Sequence, residues 1–258
     1  MFAYLPTYAK VYLAVLAFIL GAFFGSAFHC LAFRMARGQK WSKGRSACVS
    51  CGHPLGGLDL VPIFSYLILK GKCRHCGAPI SPRYVAAEAT LGLVFMSLLL
   101  RFGLGMQTLS ALVLCCCLFC LSIVDLDIQI IPDRFLVIPA AVRTLQLIYE
   151  GRLLSGLLPA LIFGGGLLAL SLLMDKILKK DTMGGGDIKL MAVLGLYFTI
   201  PECLFLLVVA CIVGIVVASV LMKIQDDTPF PFGPALSIAA YITLLFGSQI
   251  VGWYLSLF

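Results

Sequence analysis

The sequence predicts an all-α polytopic membrane protein with about eight transmembrane helices. Hydrophobic residues make up 61% of the chain and charged residues only 12%, whereas a soluble domain carries about a quarter charged residues. Apolar runs long enough to cross roughly 30 Å of hydrocarbon also recur along the chain. A large soluble core is therefore disfavoured.

The eight predicted helices follow one another with few polar interruptions after the first. The first apolar run lacks the basic start and the small-residue cleavage site of a secretory signal peptide, so we expect no cleavable signal. The fourth and sixth runs are short for a membrane span. The predicted helices are 8–33, 84–100, 107–124, 135–149, 153–174, 188–200, 202–222 and 235–257.

Basic residues concentrate between the first two helices. Nine of the 19 Lys and Arg residues lie in segment 34–83, and most of the others fall on the same side when alternate loops are counted. Cytoplasmic loops carry an excess of Lys and Arg, so this segment is predicted to be cytoplasmic and the N-terminus to lie outside. The net charge of +7 then reflects membrane topology and contact with lipid, and we expect no nucleic-acid partner.

Four cysteines in segment 34–83 have the spacing of a zinc site. The pattern is C-x2-C, 21 residues, C-x2-C, and a glycine follows each pair. A reducing cytoplasm disfavours the alternative of disulfides, and four thiolates would close a tetrahedral, structural zinc site. Metal binding would supply much of the folding free energy of such a small domain. The predicted ligands are Cys48, Cys51, Cys73 and Cys76.

Acidic residues occur at two helix ends that share the predicted cytoplasmic side. Asp125, Asp127 and Asp133 lie in "SIVDLDIQIIPD" after the third helix, and Asp187 opens the sixth. Two carboxylates held a few Å apart do not both ionise readily, so one can activate water while the other polarises a peptide carbonyl. This is aspartic-peptidase chemistry. The residues leave two alternatives open, a simple helix cap and an ion-coupled transporter.

Three glycines precede Asp187 in the stretch "DTMGGGDIKL". Without a Cβ, Gly184, Gly185 and Gly186 would let a substrate strand or another helix approach the backbone closely. Lys189 would offset local negative charge. We therefore expect these residues to support Asp187.

Several motifs resemble those of bacterial type IV prepilin peptidases, a family of membrane aspartic proteases with a G-x-G-D signature. They are "GGGDIKLMAVLG", "DLDIQIIPD", the cysteine-containing segment that begins "GRSACVSCGHP", and "PFPFGPAL". The resemblance runs in order from about Gly25 to about residue 240 and includes the cysteine tetrad. It implies that Asp125 and Asp187 are the catalytic pair. Asp127 is a weaker choice for the first position.

The resemblance also implies an activity, partners and a location. Members cleave the leader peptide of type IV prepilins or of secretion pseudopilins at the cytoplasmic face of the inner membrane. Bifunctional members then N-methylate the new N-terminal residue with S-adenosylmethionine. A peptidase that has lost methylation is an alternative, because His29 replaces the family's usual Asn and Ala36 its usual Pro.

The predicted domain organisation has three parts. Residues 1–33 would form the first transmembrane helix, and residues 34–83 a cytoplasmic zinc-binding domain linked to methylation. Residues 84–258 would form the transmembrane aspartic peptidase domain.

Overall fold

The computed structural model describes residues 5–39, 46–180, 183–221 and 231–257. It divides into two compact units, Met1–Thr108 and Leu109–Phe258. Some of the sequence-based expectations fall outside the described residues. They concern part of the basic segment, with Lys40, Lys43 and Arg45, and the start of the "PFPFGPAL" motif.

The first unit is built on two long helices, α1 (Thr7–Ala36) and α3 (Arg83–Phe102). Glycines let their backbones approach closely. A Cβ at Gly25 would lie 2.7 Å from the carbonyl oxygen of Ala87, and one at Gly92 would lie 2.8 Å from the ring of Phe18. Gly21 meets the backbone of α3 in the same way. Small residues at such spacing are typical of tightly packed membrane helices.

A short helix, α2 (Phe64–Ile68), lies between them in the chain and is tied to α3. It starts after a γ-turn in which Ile63 has φ 63° and the Phe64 N–H donates to the Pro62 carbonyl. The Ile63 N–H donates to Oε2 of Glu88 at 2.7 Å, and Glu88 is buried on α3. The buried carboxylate therefore receives a hydrogen bond and anchors the polar segment to the membrane helix.

The second unit is helical throughout its described part. Its helices are α4 (Met106–Ile128, which begins just before the unit boundary), α5 (Arg134–Tyr149), α6 (Leu153–Leu178), α7 (Gly185–Gly195), α8 (Ile200–Leu221), α9 (Gly233–Ile242) and α10 (Ser248–Leu255). A single π-helical turn, Thr243–Gly247, joins α9 to α10. Side chains from α4, α7 and α9 fill much of the core, among them Leu121, Met191 and Leu236.

Six described helices are long and apolar enough to cross a membrane: α1, α3, α4, α6, α8 and the continuous α9–α10. The all-helical membrane architecture is thus confirmed, and each of these six matches a predicted span. The other two predicted spans correspond to α5 and α7. These have 16 and 11 residues, short of the length that crosses a bilayer unaided. The total of eight spans stays a prediction.

Candidate functional site

Asp125 lies in the last turn of α4 and is buried, with 5% of its surface exposed. One of its carboxylate oxygens, Oδ2, accepts a hydrogen bond from the backbone N–H of Gly233 at 3.1 Å. Gly233 is the first residue of α9. Two elements that are distant in the chain therefore fix this carboxylate.

Asp187 lies in the first turn of α7 and is partly buried. Its Oδ1 is buried and has no hydrogen-bond partner among the described residues. Asp187 is outside the six candidate spans, and burial followed by the charge of Asp125 raises its pKa to about 6. A carboxylate raises the pKa of another only when the two are close. The structure thus brings together the two acids that the sequence singled out.

The three glycines have different surroundings. A Cβ at Gly186 would lie 2.9 Å from Cβ of Ile131, in the loop after α4. Among the described residues, no atom lies within 4 Å of such a Cβ at Gly185, and only an Asp187 oxygen lies near that of Gly184. Gly184 is the extended residue before the helix. Gly186 is therefore the position at which close packing requires glycine, while no described residue packs as closely against Gly184 or Gly185.

The other predicted supporting residues lie on the surface. Asp127 is exposed, whereas Asp125 is buried, and this difference favours Asp125 as the first member of the pair. Nζ of Lys189 and Oδ1 of Asp133 form an ion pair at 2.8 Å. The pair links α7 to the chain just before α5, and because both side chains are exposed its energetic contribution is about 0–1 kcal/mol.

Sequence reasoning missed Gly233. The "PFPFGPAL" motif was recognised only as a point of resemblance. A glycine followed by Pro at the start of an apolar run indicates a helix N-terminus with a free N–H. Its partner, however, is 108 positions away in the chain. No local pattern identifies such a contact.

The four predicted metal ligands form one cluster in the first unit. Their sulfur atoms all lie within 4.8 Å of one another, and Sγ of Cys48 is 3.8 Å from Sγ of Cys76. Zinc–sulfur bonds of about 2.3 Å in a tetrahedron require sulfur atoms roughly 3.8 Å apart. The cluster therefore fits a thiolate-bound metal ion.

The two cysteine pairs sit in matching turns. Cys48 and Cys73 each accept a backbone hydrogen bond from a glycine four residues later, Gly52 and Gly77, whose φ angles are 70° and 68°. Each turn is closed by one isolated β-bridge, Ala47 with Pro54 and Lys72 with Pro79. Glycine adopts this left-handed conformation without steric cost. We call these two segments, 47–54 and 72–79, the cysteine turns.

Two histidines accompany the cysteine turns without belonging to the four-sulfur cluster. The rings of His53 and His75 lie with centroids 3.5 Å apart and are tilted by 37° to one another. His29, at the position where the sequence departs from the family, is buried on α1, and its ring meets that of Tyr84 edge to face at 4.7 Å. This ring contact links α1 to α3 at that position.

Fold and site together define a polytopic α-helical membrane protein with two interacting carboxylates in one unit and a four-cysteine cluster in the other. Two family models match the chain, the bacterial peptidase A24 N-terminal domain over residues 19–102 and the type IV leader peptidase family over residues 112–219. The chain belongs to the type IV leader peptidase family.

Similar proteins carry one shared description. The chain is 36% identical over 228 residues to the prepilin leader peptidase/N-methyltransferase of Aeromonas hydrophila, covering 83% of this chain and 76% of that protein. Proteins of the same name from Pseudomonas aeruginosa and Bacillus subtilis are 35% and 30% identical, covering 81% and 93% of this chain and 74% and 97% of their own lengths. No solved structure matches the chain. The family resemblance is therefore confirmed, and the transporter alternative receives no support.

Proposed function

We propose that this protein cleaves the leader peptide of type IV prepilins or pseudopilins and then N-methylates the new N-terminal residue. The burial of Asp125, together with the charge of Asp125 that adds to burial in raising the pKa of Asp187 to about 6, is the observation that carries the peptidase half. The names of the relatives support both activities. The sequence alone left open a peptidase that has lost methylation, and the names of the relatives do not favour this alternative.

Two carboxyl groups that share one proton can cleave a peptide bond by general acid–base catalysis. The ionised aspartate takes a proton from water, whose oxygen forms a bond to the scissile carbonyl carbon. The protonated aspartate donates a hydrogen bond to the carbonyl oxygen and stabilises the tetrahedral intermediate. The C–N bond then breaks, and the leaving nitrogen receives the proton that the first aspartate took from water. The absence of close described neighbours at Gly185, and the single one at Gly184, supports entry of the substrate backbone at Asp187.

The cysteine cluster would hold a structural zinc ion. Cys48, Cys51, Cys73 and Cys76 supply four ligands, and a tetrahedral site with four protein ligands leaves no position for substrate. Its contribution is the stability of the segment between α1 and α3. S-adenosylmethionine would supply the methyl group that is transferred to the new N-terminal nitrogen.

The substrate would approach from the membrane and the cytoplasm together. We propose that the apolar helix of the prepilin lies among the membrane helices of this multi-pass inner-membrane protein, surrounded by lipid. The leader would extend into the cytoplasm, where the basic segment 34–83 and both aspartates are expected by the positive-inside rule. This orientation places the N-terminus of the enzyme outside.

The test is an intact-mass measurement on a prepilin incubated with the purified protein and S-adenosylmethionine. We expect a product that lacks its leader and carries one methyl group. A cleaved, unmethylated product would restrict the enzyme to peptidase activity. Asp125→Asn and Asp187→Asn should each reduce cleavage to background in folded, membrane-inserted protein, because neither amide can exchange the required proton. Normal processing by either variant would remove that residue from the mechanism.

A further inference from the structure

The N-terminus of α9 contacts Asp125 through a backbone N–H. Gly233 is the first residue of α9, and its N–H has no acceptor within the helix. Pro234, the second residue, has no N–H, so Gly233 is the residue of this pair that can donate to an acceptor. That amide donates to Oδ2 of Asp125 in a buried environment. A hydrogen bond from an N–H to a carboxylate, at the positive end of a helix dipole, favours the charged form of the acid.

The approach of Gly233 to Asp125 leaves no room for a side chain. A Cβ on Gly233 would lie 2.6 Å from Oδ2 and 3.2 Å from Cγ of Asp125. Real Cβ atoms do not come that close to oxygen, so any other residue would displace the carboxylate or the helix. The φ angle of Gly233 lies outside the left-handed region. Space beside Asp125, and not backbone conformation, is therefore what requires glycine here.

The second acid has a different environment. Oδ1 of Asp187 is buried and accepts no hydrogen bond from any described residue. A buried carboxylate oxygen without a donor disfavours the charged form, and a neighbouring charge adds to this effect. The pKa of Asp187, raised to about 6, agrees with that geometry. Below a pH of about 6, the shared proton should therefore reside on Asp187.

We propose that Gly233 is a positioning residue that holds Asp125 as the ionised base of the pair and thereby leaves Asp187 as the proton-bearing acid. The proposal rests on the proposed function and divides its two roles. Asp125 takes the proton from the attacking water, and Asp187 donates to the carbonyl oxygen of the substrate. Gly233 acts through Asp125 and does not touch the reacting atoms itself.

The test compares Gly233→Ala with Gly247→Ala. Gly247 lies in the same C-terminal span, and a Cβ there would also meet a close neighbour, Cγ2 of Thr243 at 2.7 Å, but away from the acids. For Gly233→Ala we expect kcat for prepilin cleavage to fall roughly 10²-fold, the cost typical of a displaced catalytic group, with KM within about twofold. Gly247→Ala should cleave at close to the wild-type rate.

Two further measurements distinguish a misfolded variant, and failure of the proposed function, from failure of the role proposed for Gly233. Methylation of an already cleaved pilin reports whether Gly233→Ala is folded, and it should be retained. Absence of cleavage by the wild type would reject the proposed function itself, whereas normal kcat in Gly233→Ala beside an active wild type would overturn only the role of Gly233.

The division of roles is tested directly by infrared difference spectroscopy, which needs no activity. At a pH below about 6, the carbonyl band of a protonated carboxyl should disappear in Asp187→Asn and persist in Asp125→Asn. The reverse pattern would overturn the assignment, even if Gly233→Ala proved too unstable to assay.

Discussion

Ionisation of Asp187 destabilises the folded protein, and the size of this effect depends on pH. Its folded-state pKa of about 6 lies above the ordinary value of 3.8, so folding favours the protonated form. The penalty for ionising this acid is absent below about 4, grows as the pH rises, and is complete above about 6. Stability that the protonated form provides in acid is therefore lost towards neutral pH.

We expect Asp187→Asn to unfold at a higher temperature than the wild type at neutral pH and to lose this advantage in acid. After discounting for partial solvent exposure, the gain at neutral pH is roughly 1–2 kcal/mol. Thermal unfolding in detergent across this pH range is the measurement. Asp133→Asn is the matched control, because Asp133 is exposed and its ion pair contributes little. A wild-type advantage at neutral pH would contradict the penalty.

Individual residues also show where prediction from sequence stops. Asp125 and Asp187 were found because an acid beside an apolar run is rare and costly. The motif favoured Asp125 over Asp127 only by its position in the sequence. In the structure Asp125 is buried and Asp127 is exposed, which gives a physical reason for the same choice. Gly233 could not be assigned a role because its contact depends on how α4 and α9 pack. Gly233 matters because it has no side chain, and the absence of a side chain is not a chemical signal that a sequence motif can reveal.

Among the elements, the cysteine turns share a backbone design. Each supplies two ligands, one glycine with positive φ and one bridge. Because neither turn holds a complete ligand set, both must contribute to a metal site. Losing a ligand from one turn should therefore damage the other turn as well.

We expect Cys48→Ser and Cys73→Ser, one from each turn, to lower zinc content and thermal stability to a similar extent. Metal analysis and thermal unfolding of the purified variants test this. Methylation should suffer more than cleavage, since the acids lie in the second unit. Cys211→Ser, an exposed cysteine of α8 outside the cluster, should retain the metal. Full zinc occupancy in both cluster variants would contradict the ligand assignment.

The α1–α3 pair makes a second prediction at this scale. Gly25→Ala would place a methyl group 2.7 Å from a backbone carbonyl of α3, which cannot move aside as a side chain can. We expect a loss of about 1–3 kcal/mol, as for other overpacked contacts, measured as a lower unfolding temperature in detergent. Gly165→Ala in α6, where no described atom lies within 4 Å of the added Cβ, is the control and should be neutral. Unchanged stability in Gly25→Ala would show that the helices are not held this closely.

For the whole molecule, composition predicted the fold class, and the apolar runs located every described span. The two uncertain spans, α5 and α7, are those whose apolar runs were short. Their length alone cannot decide whether they cross the bilayer, because short helices can be accommodated by their neighbours. The topology of the second unit depends on them.

Labelling of single introduced cysteines distinguishes the two topologies. With eight spans, the loop before α6 lies outside and the loop after α6 lies in the cytoplasm. If α5 and α7 do not cross, these sides are exchanged. We expect a membrane-impermeant thiol reagent to label Arg152→Cys in intact cells and Lys180→Cys only after permeabilisation. The wild-type chain, with its own cysteines, supplies the background, and the opposite pattern would rule out eight spans.

The order of the cysteine turns along the chain determines when the metal site can form during synthesis. α1 leaves the ribosome first, followed by Cys48 and Cys51, and the four-sulfur cluster cannot close until Cys73 and Cys76 have been made. α3, the packing partner of α1, begins at Arg83, soon after Cys76. Closure of the cluster and arrival of α3 therefore coincide. The nascent chain passes from one anchored helix to a closed two-helix unit before either Asp125 or Asp187 is synthesised.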